Sequence, residues 1–217
     1  MVHLNFSAYK GILFDFDGVL ADTCEDNYRG WRYAFGEQGI DLDRERYLVL
    51  EGHTVEEIAS ILLSAYGKPT ALAGRVWEDK EKFFRANVVP KLFPQTLPLL
   101  KELGTRGIKR GVVSGGKAER LKNPIFSVLF ALLDTIVTGD DVTKGKPWPE
   151  PYLKGAERLG LEPRQCLVVE NAPPGIAAAR AAGMDCVALT TSLRAELLSG
   201  ANLVLGGLQD LQVALLA

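Results

Sequence analysis

The chain has 217 residues, 47% of them hydrophobic and 24% charged, and this length suffices for one or two domains with a sizeable core. Its formal net charge is −2 at pH 7, and the absence of a basic cluster argues against a nucleic-acid partner. No run of about 18 apolar residues occurs, and the N-terminus lacks a basic segment followed by an apolar stretch, so neither a membrane span nor a secretory leader is predicted.

The three cysteines, Cys24, Cys166 and Cys186, are an odd number without metal-type spacing. Two of them lie in apolar runs that are typical of strands. This pattern predicts reduced, buried thiols and a cytoplasmic protein.

Short apolar runs alternate with helical patterns and predict six strands, at residues 11–16, 109–113, 135–138, 166–169, 186–189 and 203–205. The alternation indicates an α/β core of the Rossmann-like, doubly wound type, with a parallel sheet and helices on both faces. The first, second and fourth runs end close to Asp15, Ser114 and Glu170. Ligands of such sheets bind at the carboxyl ends of the strands, so these three residues are predicted to share one site.

Residues 22–92 show no such alternation and contain three helical patterns, at 24–38, 54–65 and 71–87. This insert is predicted to be an all-helical cap. The core domain then consists of residues 1–21 and 93–217, and the cap domain of residues 22–92. The two connections, at residues 21–23 and 89–94, are predicted hinges for closure over a substrate.

Two carboxylates lie one residue apart at the end of the first strand. If the strand continues straight, Asp15 and Asp17 lean toward one crevice, and Gly18 then allows a sharp turn. A divalent cation or a shared proton removes the repulsion between two such carboxylates. One carboxylate can attack phosphorus while the other gives a proton to the leaving oxygen. A solvated Asp-Gly turn is the alternative interpretation.

The other candidate residues follow later strands. Ser114, with Gly115 and Gly116, can offer a hydroxyl and close backbone N–H groups to a phosphate oxygen, although an ordinary Ser-Gly-Gly turn is the alternative. Lys146 can place an ammonium group near a phosphate and offset carboxylate repulsion. Lys144, two residues away, competes for that role on sequence alone.

Glu170 and Asn171 are predicted to complete a cation site. The Glu170 carboxylate can join Asp15 and the backbone carbonyl of Asp17 around Mg²⁺. Asn171 can offer a neutral amide oxygen to the cation, or it can orient a ligand or water without touching the metal. The sequence leaves open which of the two residues is the direct ligand.

Within the insert, His53 follows Gly52 and is either a substrate contact or a solvated loop residue. Thr54 is followed three residues later by Glu57, the spacing of a capping box at a helix start.

Four segments closely resemble, in order, the motifs of haloacid-dehalogenase-superfamily phosphatases: DFDGVLADT at 15–23, VVSGG at 112–116, GKPWPEPY at 145–152 and CLVVENAPPGIAAARAAGM at 166–184. The resemblance covers nearly the whole chain. It points to the branch of phosphoglycolate phosphatases and β-phosphoglucomutases, which carry a helical cap after the first motif. It implies that Asp15 is the nucleophile, Asp17 the general acid and base, and Ser114 and Lys146 phosphate-binding residues.

The resemblance also implies restrictions. Many relatives carry Asp where this chain has Asn171, so metal binding is expected to be weaker or differently tuned. Asp17 argues against dehalogenases and phosphonate hydrolases, which lack the second Asp. The mutases place a cap histidine and a cap arginine where this chain has Asn27 and Val55, and a second phosphate requires such a cation.

The sequence therefore predicts an Mg²⁺-dependent phosphatase that hydrolyses a small phosphorylated metabolite through an aspartyl-phosphate. Phosphoglycolate and a sugar phosphate are the leading substrates, and the enzyme is expected to be a monomer or homodimer. A phosphosugar mutase, and a binding or regulatory protein on the same fold, are the alternatives.

Overall fold

The computed structural model describes residues 4–216, and a six-stranded, entirely parallel sheet forms its centre. The strands are β1 (Gly11–Phe14), β2 (Lys109–Val113), β3 (Thr135–Val137), β4 (Cys166–Glu170), β5 (Asp185–Leu189) and β6 (Leu203–Leu205). Their order is β3-β2-β1-β4-β5-β6. The order reverses between β1 and β4, and the carboxyl ends of strands at such a reversal form a crevice for ligands.

All six predicted strands are present, but β1 ends two residues earlier than predicted. The Phe16 carbonyl accepts hydrogen bonds from the backbone N–H groups of Leu20 and Ala21, at 3.0 and 2.9 Å. These bonds close a turn directly after the strand. Asp17 therefore lies in a turn, and not on a straight continuation of β1.

The described residues form ten α-helices, and their bounds are α1 (Cys24–Gly36), α2 (Arg44–Leu48), α3 (Val55–Ala65), α4 (Ala73–Asn87), α5 (Thr96–Thr105), α6 (Ala118–Leu121), α7 (Ser127–Phe130), α8 (Glu150–Leu159), α9 (Pro173–Ala181) and α10 (Leu208–Leu216). Helices cover both faces of the sheet, as predicted. In β1, Ile12 and Phe14 belong to the core that includes α5 and α10, whereas Leu13 belongs to the core that includes α8 and α9. Each of these three side chains is at most 1% exposed, which stabilises the fold by about 1.5–3 kcal/mol per side chain.

The insert between β1 and α5 consists of α1 to α4, so the predicted helical cap is confirmed. Trp31 of α1 is 1% exposed and lies near the rings of Phe35 and Tyr47, at 6.1 and 6.4 Å between centroids. The short helix α2 was not predicted. It begins after Asp43, whose side chain caps it by accepting the N–H of Arg46 at 2.7 Å.

The two connections between cap and core lie side by side. Ala21 forms an antiparallel bridge with Leu92, and the N–H of Asp22 donates to the carbonyl of Lys91 at 2.8 Å. Since the chain leaves and re-enters the core at one place, we propose the domain boundaries after Ala21 and before Phe93.

Cys24, Cys166 and Cys186 are free and buried, in agreement with the prediction for their thiols. Among the helices of residues 4–216, none is both long and apolar enough to cross a membrane.

Candidate active site

Asp15 and Asp17 lie at the carboxyl end of β1, in the middle of the sheet, and line one cavity. Asp15 is 5% exposed, and its N–H donates to the carbonyl of Val169 at 2.9 Å, which extends the pairing of β1 with β4. Gly18 turns the chain with φ at 79°, a conformation that side chains disfavour. A Cβ atom at Gly18 would lie 2.2 Å from Nδ2 of Asn171, so the turn also requires glycine for space.

Lys146, in the loop before α8, links two of the predicted carboxylates. Its Nζ lies 2.6 Å from Oδ1 of Asp15 and 2.6 Å from Oε1 of Glu170. Burial by itself would lower the pKa of Lys146, but the two carboxylates outweigh it and raise the pKa. Burial raises the pKa of Asp15 to about 8, although the ammonium group opposes this shift. Lys144 is not part of the cluster, and its Nζ lies over the exposed ring of Trp148.

Glu170 is fully buried at the end of β4, and both of its carboxylate oxygens are engaged. Besides the Lys146 contact, Oε1 accepts the hydroxyl of Tyr152 at 2.7 Å. Oε2 accepts the backbone N–H groups of Asn171 and Ala172, at 2.9 and 3.3 Å. Glu170 therefore fixes the position of the Lys146 ammonium group.

Asn171 is 1% exposed, and the two atoms of its amide differ in their contacts. Its Nδ2 donates to Oγ of Ser192 at 2.9 Å and to Sγ of Cys24 at 3.5 Å. Its Oδ1 is buried and has no hydrogen-bond partner among the described residues. A buried acceptor left unpaired costs about 1–3 kcal/mol, so this oxygen is a candidate ligand for a cation.

Asp17 is held by three donors, and all three bond to the same oxygen. Its Oδ1 accepts from Nη2 of Arg120 at 2.5 Å, from Nδ2 of Asn27 at 3.0 Å and from the hydroxyl of Thr23. Arg120 belongs to the short helix α6 that follows β2. Sequence analysis missed Arg120, because a single arginine in a one-turn helix has no pattern that separates it from a surface residue.

The Ser-Gly-Gly segment after β2 lies beneath the cap. Oγ of Ser114 accepts the N–H of Gly116 at 3.1 Å, which leaves the hydroxyl hydrogen free to donate. A Cβ atom at Gly115 would lie 2.5 Å from the carbonyl oxygens of both Gly52 and His53. Glycine is therefore required where the cap loop approaches the core.

The cap closes over these residues and leaves a cavity of about 30 Å³. Pockets for small molecules measure about 300–1,000 Å³, so a substrate can bind only if the cap moves. The core side of the wall includes Asp15, Asp17 and Arg120. The polar and aromatic residues on the cap side are Asn27, Trp31, Tyr47, Glu51, His53 and Lys80.

Two buried charged residues of the cap were not predicted. Glu51 is 4% exposed, accepts from Sγ of Cys24 at 2.7 Å and from the Tyr47 hydroxyl, and has its pKa raised to about 7, mainly by burial. Lys80 is 1% exposed, and its Nζ donates to Glu81 at 2.7 Å. Burial lowers the pKa of Lys80 to about 8.

Residues 27 and 55 supply no cation for a second phosphate, but the cavity wall contains two cations at other positions. Val55 lines the cavity, but Lys80 and Arg120 line it as well. Each of these cations already contacts a carboxylate, Arg120 that of Asp17 and Lys80 that of Glu81.

His53 lies in the cavity wall with its side chain 14% exposed, which excludes the alternative of a solvated loop residue. Its Nδ1 is 3.6 Å from Oε2 of Glu57, too far for a hydrogen bond, and burial lowers the pKa of His53. The predicted capping box is confirmed, since the N–H of Thr54 donates to Glu57 at 3.0 Å and the N–H of Glu57 donates to Oγ1 of Thr54 at 3.4 Å.

The model of the haloacid dehalogenase-like hydrolase family matches residues 12–189, and the chain belongs to this family. Validoxylamine A 7'-phosphate phosphatase of Streptomyces hygroscopicus subsp. limoneus is 30% identical, over 94% of this chain and 96% of its own length. Fructose-1-phosphate phosphatase YqaB of Escherichia coli (strain K12) is 33% identical, over 84% of this chain and 97% of its own length. The structure of a putative beta-phosphoglucomutase from Bacteroides vulgatus matches with a TM-score of 0.83 and 30% identity, over 96% of this chain and 89% of that one.

Both of these curated relatives are phosphatases, and the alignments span most of this chain. The enzyme class predicted from the sequence, a phosphoric monoester hydrolase, is confirmed.

Proposed function

We propose that the protein is an Mg²⁺-dependent phosphatase that uses Asp15 as its nucleophile and acts on the phosphate ester of a small polyhydroxylated molecule. The observation that carries the proposal is the buried contact of Asp15 with Lys146, at 2.6 Å, where the strand order of the sheet reverses. A carboxylate held there by an ammonium group is oriented before a phosphate arrives.

The reaction proceeds in two displacements at phosphorus. The Asp15 carboxylate forms a bond to phosphorus as the ester P–O bond breaks, and Asp17 gives a proton to the leaving oxygen. Asp17 then takes a proton from a water molecule that attacks the aspartyl-phosphate. This second step releases phosphate and restores Asp15.

The residues around Asp15 suit the phosphate oxygens. The Ser114 hydroxyl is free to donate, and the Gly115 and Gly116 backbone has no side chains that would obstruct an approaching phosphate. The Lys146 ammonium group supplies positive charge beside the nucleophile. Such groups stabilise the charge of the transition state without rearrangement.

The oxygen atoms present fit a hard divalent cation. The Asp15 carboxylate, the Asp17 backbone carbonyl and the unpartnered Oδ1 of Asn171 would hold it. In residues 4–216 no three His, Cys, Asp or Glu side chains are grouped for a metal, so neutral oxygens have to contribute to the site. We assign the direct contact to Asn171, since both oxygens of Glu170 are already engaged. When bound, the cation would favour ionised Asp15 and offset the charge of the phosphate.

The cap side of the cavity favours a substrate with hydroxyl groups. Oδ1 of Asn27 is buried without a partner among the described residues, so a substrate hydroxyl can donate to it. The Trp31 ring also lines the cavity, with Nζ of Lys80 5.7 Å from its centroid, and aromatic rings of this kind pack against sugars. Phosphoglycolate would instead place a carboxylate against Asp17 and Glu51. The relative named for fructose 1-phosphate supports the same substrate class.

The mutase alternative requires cations that are free to bind a second phosphate. Arg120 and Lys80 each have a carboxylate partner, at 2.5 and 2.7 Å, which favours the phosphatase.

The proposal is tested by phosphate release from a panel of sugar, polyol and carboxylic acid phosphates, with and without Mg²⁺. Asp15→Asn is expected to lose essentially all turnover, and its circular dichroism is expected to match that of the parent. Asp41→Asn is the matched control, because the Asp41 side chain is 89% exposed, and it is expected to retain full activity.

Release that requires Mg²⁺, prefers the hydroxylated esters and vanishes in Asp15→Asn would support the proposal. Turnover that persists in Asp15→Asn would exclude Asp15 as the nucleophile, and a preference for phosphoglycolate would exclude the substrate class. Interconversion of two phosphosugars without release of phosphate would establish the mutase.

A further inference from the structure

Arg120 is a largely covered cation that the two displacement steps leave without a role. Its side chain is 12% exposed, and Nη2 lies 2.5 Å from Oδ1 of Asp17. Its guanidinium lies over the ring of Phe84, 4.6 Å from the centroid. Arg120 belongs to the core and Phe84 to cap helix α4, so the arginine lies where the two parts of the molecule meet.

The hydrogen bonds of Asp17 distinguish its two carboxylate oxygens, Oδ1 and Oδ2. Arg120, Asn27 and Thr23 all donate to Oδ1. Because all three donors bond to Oδ1, Oδ2 is the oxygen of Asp17 that remains available to a substrate. The donors also restrict rotation of the carboxyl group, which fixes the direction of Oδ2.

We propose that Arg120 is the positioning residue of the general acid, which holds Asp17 so that Oδ2 faces the leaving oxygen. This inference rests on the proposed phosphatase reaction. As the ester P–O bond breaks, the leaving oxygen takes the proton from Oδ2, and the negative charge left on Asp17 develops beside the guanidinium. A preorganised cation at such a place stabilises the transition state.

Phe84 connects this role to cap closure. In the closed structure its ring covers the guanidinium and keeps water away from the ion pair, which strengthens the attraction between Arg120 and Asp17. Movement of α4 away from the core would remove this ring and expose the ion pair to water.

The test compares a leaving group that needs a proton with one that does not. An alkyl phosphate from the panel releases an alkoxide, which requires the acid, whereas p-nitrophenyl phosphate releases a stable phenolate. Arg120→Met is expected to lower kcat for the alkyl phosphate roughly 10- to 100-fold, less than the about 10²- to 10⁴-fold that a positioned acid supplies, because Asp17 itself remains. Single-turnover release of nitrophenolate, measured with enzyme in excess, is expected to stay within about 3-fold of the parent, because that step does not use the acid.

Four further variants make the comparison specific. Asp17→Asn is expected to show the same selective loss, and Arg120→Met added to it is expected to cost little more, since both changes remove one function. Arg85→Met is the control, because Arg85 is a 60% exposed arginine between cap and core, 3.3 Å from Glu119. Arg120→Lys keeps a cation beside Asp17 and is expected to regain part of the alkyl phosphate activity. It replaces Arg120→Met in the comparison if Arg120→Met does not fold.

Equal slowing of both substrates by Arg120→Met and Arg120→Lys would overturn the inference in favour of a structural role. A raised KM with unchanged kcat would overturn it in favour of direct substrate binding. In both cases the parent enzyme still releases phosphate and Asp15→Asn does not, so the proposed phosphatase would stand. Failure of the parent to release either phosphate or nitrophenolate would instead refute the proposed function itself.

Discussion

Replacement of Glu51 by Gln tests the electrostatics of the cavity through the stability of the fold. Glu51 is 4% exposed, and burial, followed by the charge of Asp17, raises its pKa from the ordinary 4.5 to about 7. Gln has nearly the same shape but does not ionise. The substitution therefore removes one buried ionisable group and leaves the shape of the side chain nearly unchanged.

The expected magnitude follows from the pKa difference. A carboxyl group that binds its proton more tightly in the folded chain stabilises the fold fully below pH 4.5, and this stabilisation is lost as the pH rises to about 7. The difference between the two pKa values corresponds to about 3 kcal/mol of unfolding free energy. Relative to the parent, Glu51→Gln is therefore expected to gain stability by about this amount between the two pH values.

The assay is urea denaturation of the parent and the variant at several pH values between about 4.5 and 8. Glu78→Gln is the matched control, because Glu78 is exposed on α4, and its effect is expected to stay within about 0.5 kcal/mol at every pH. If the unfolding free energies of the parent and Glu51→Gln run parallel across the pH range, the assignment of Glu51 as a buried group with a raised pKa is refuted.

Three other substitutions test separate parts of the site. Asn171→Asp adds a charged ligand and is expected to lower the Mg²⁺ concentration for half-maximal phosphate release by roughly 10-fold; an unchanged concentration would place residue 171 outside the metal site. Gly175→Ala would put a Cβ atom 1.6 Å from Oε1 of Glu170, so urea denaturation is expected to show a loss of about 1–3 kcal/mol, and a neutral result would contradict the close packing there. Thr54→Ala removes the capping box and is expected to cost about 1 kcal/mol in the same assay with kcat unchanged, whereas a large change in kcat would assign Thr54 a role beyond capping.

The elements predicted correctly are those with a repeating pattern or a local cap. Apolar runs located all six strands, and the Thr54 capping box located the start of α3. Helix α2 has five residues, too few for a helical period to be recognised. The early end of β1 depends on hydrogen bonds of the Phe16 carbonyl, which no side-chain pattern records.

Residues of the candidate site were likewise predicted only where a local pattern of the chain marks them. Asp15, Ser114 and Lys146 were found because each directly follows a strand or belongs to a motif, so its position along the chain carries the information. Arg120 and Glu51 were missed because their neighbours decide their importance. In isolation both look like charged surface residues.

The sequence by itself determined the parallel α/β core, the helical insert and the order of the four motifs, because strand and helix periods and turn residues are local properties of the chain. Only the tertiary structure decided that Lys146 lies between Asp15 and Glu170, and that Oδ1 of Asn171 is buried without a partner among the described residues. Burial, charge pairing and the closure of the cap arise from residues that are distant along the chain, 131 positions in the case of Asp15 and Lys146. Their energies depend on distances in space, which a linear pattern does not contain.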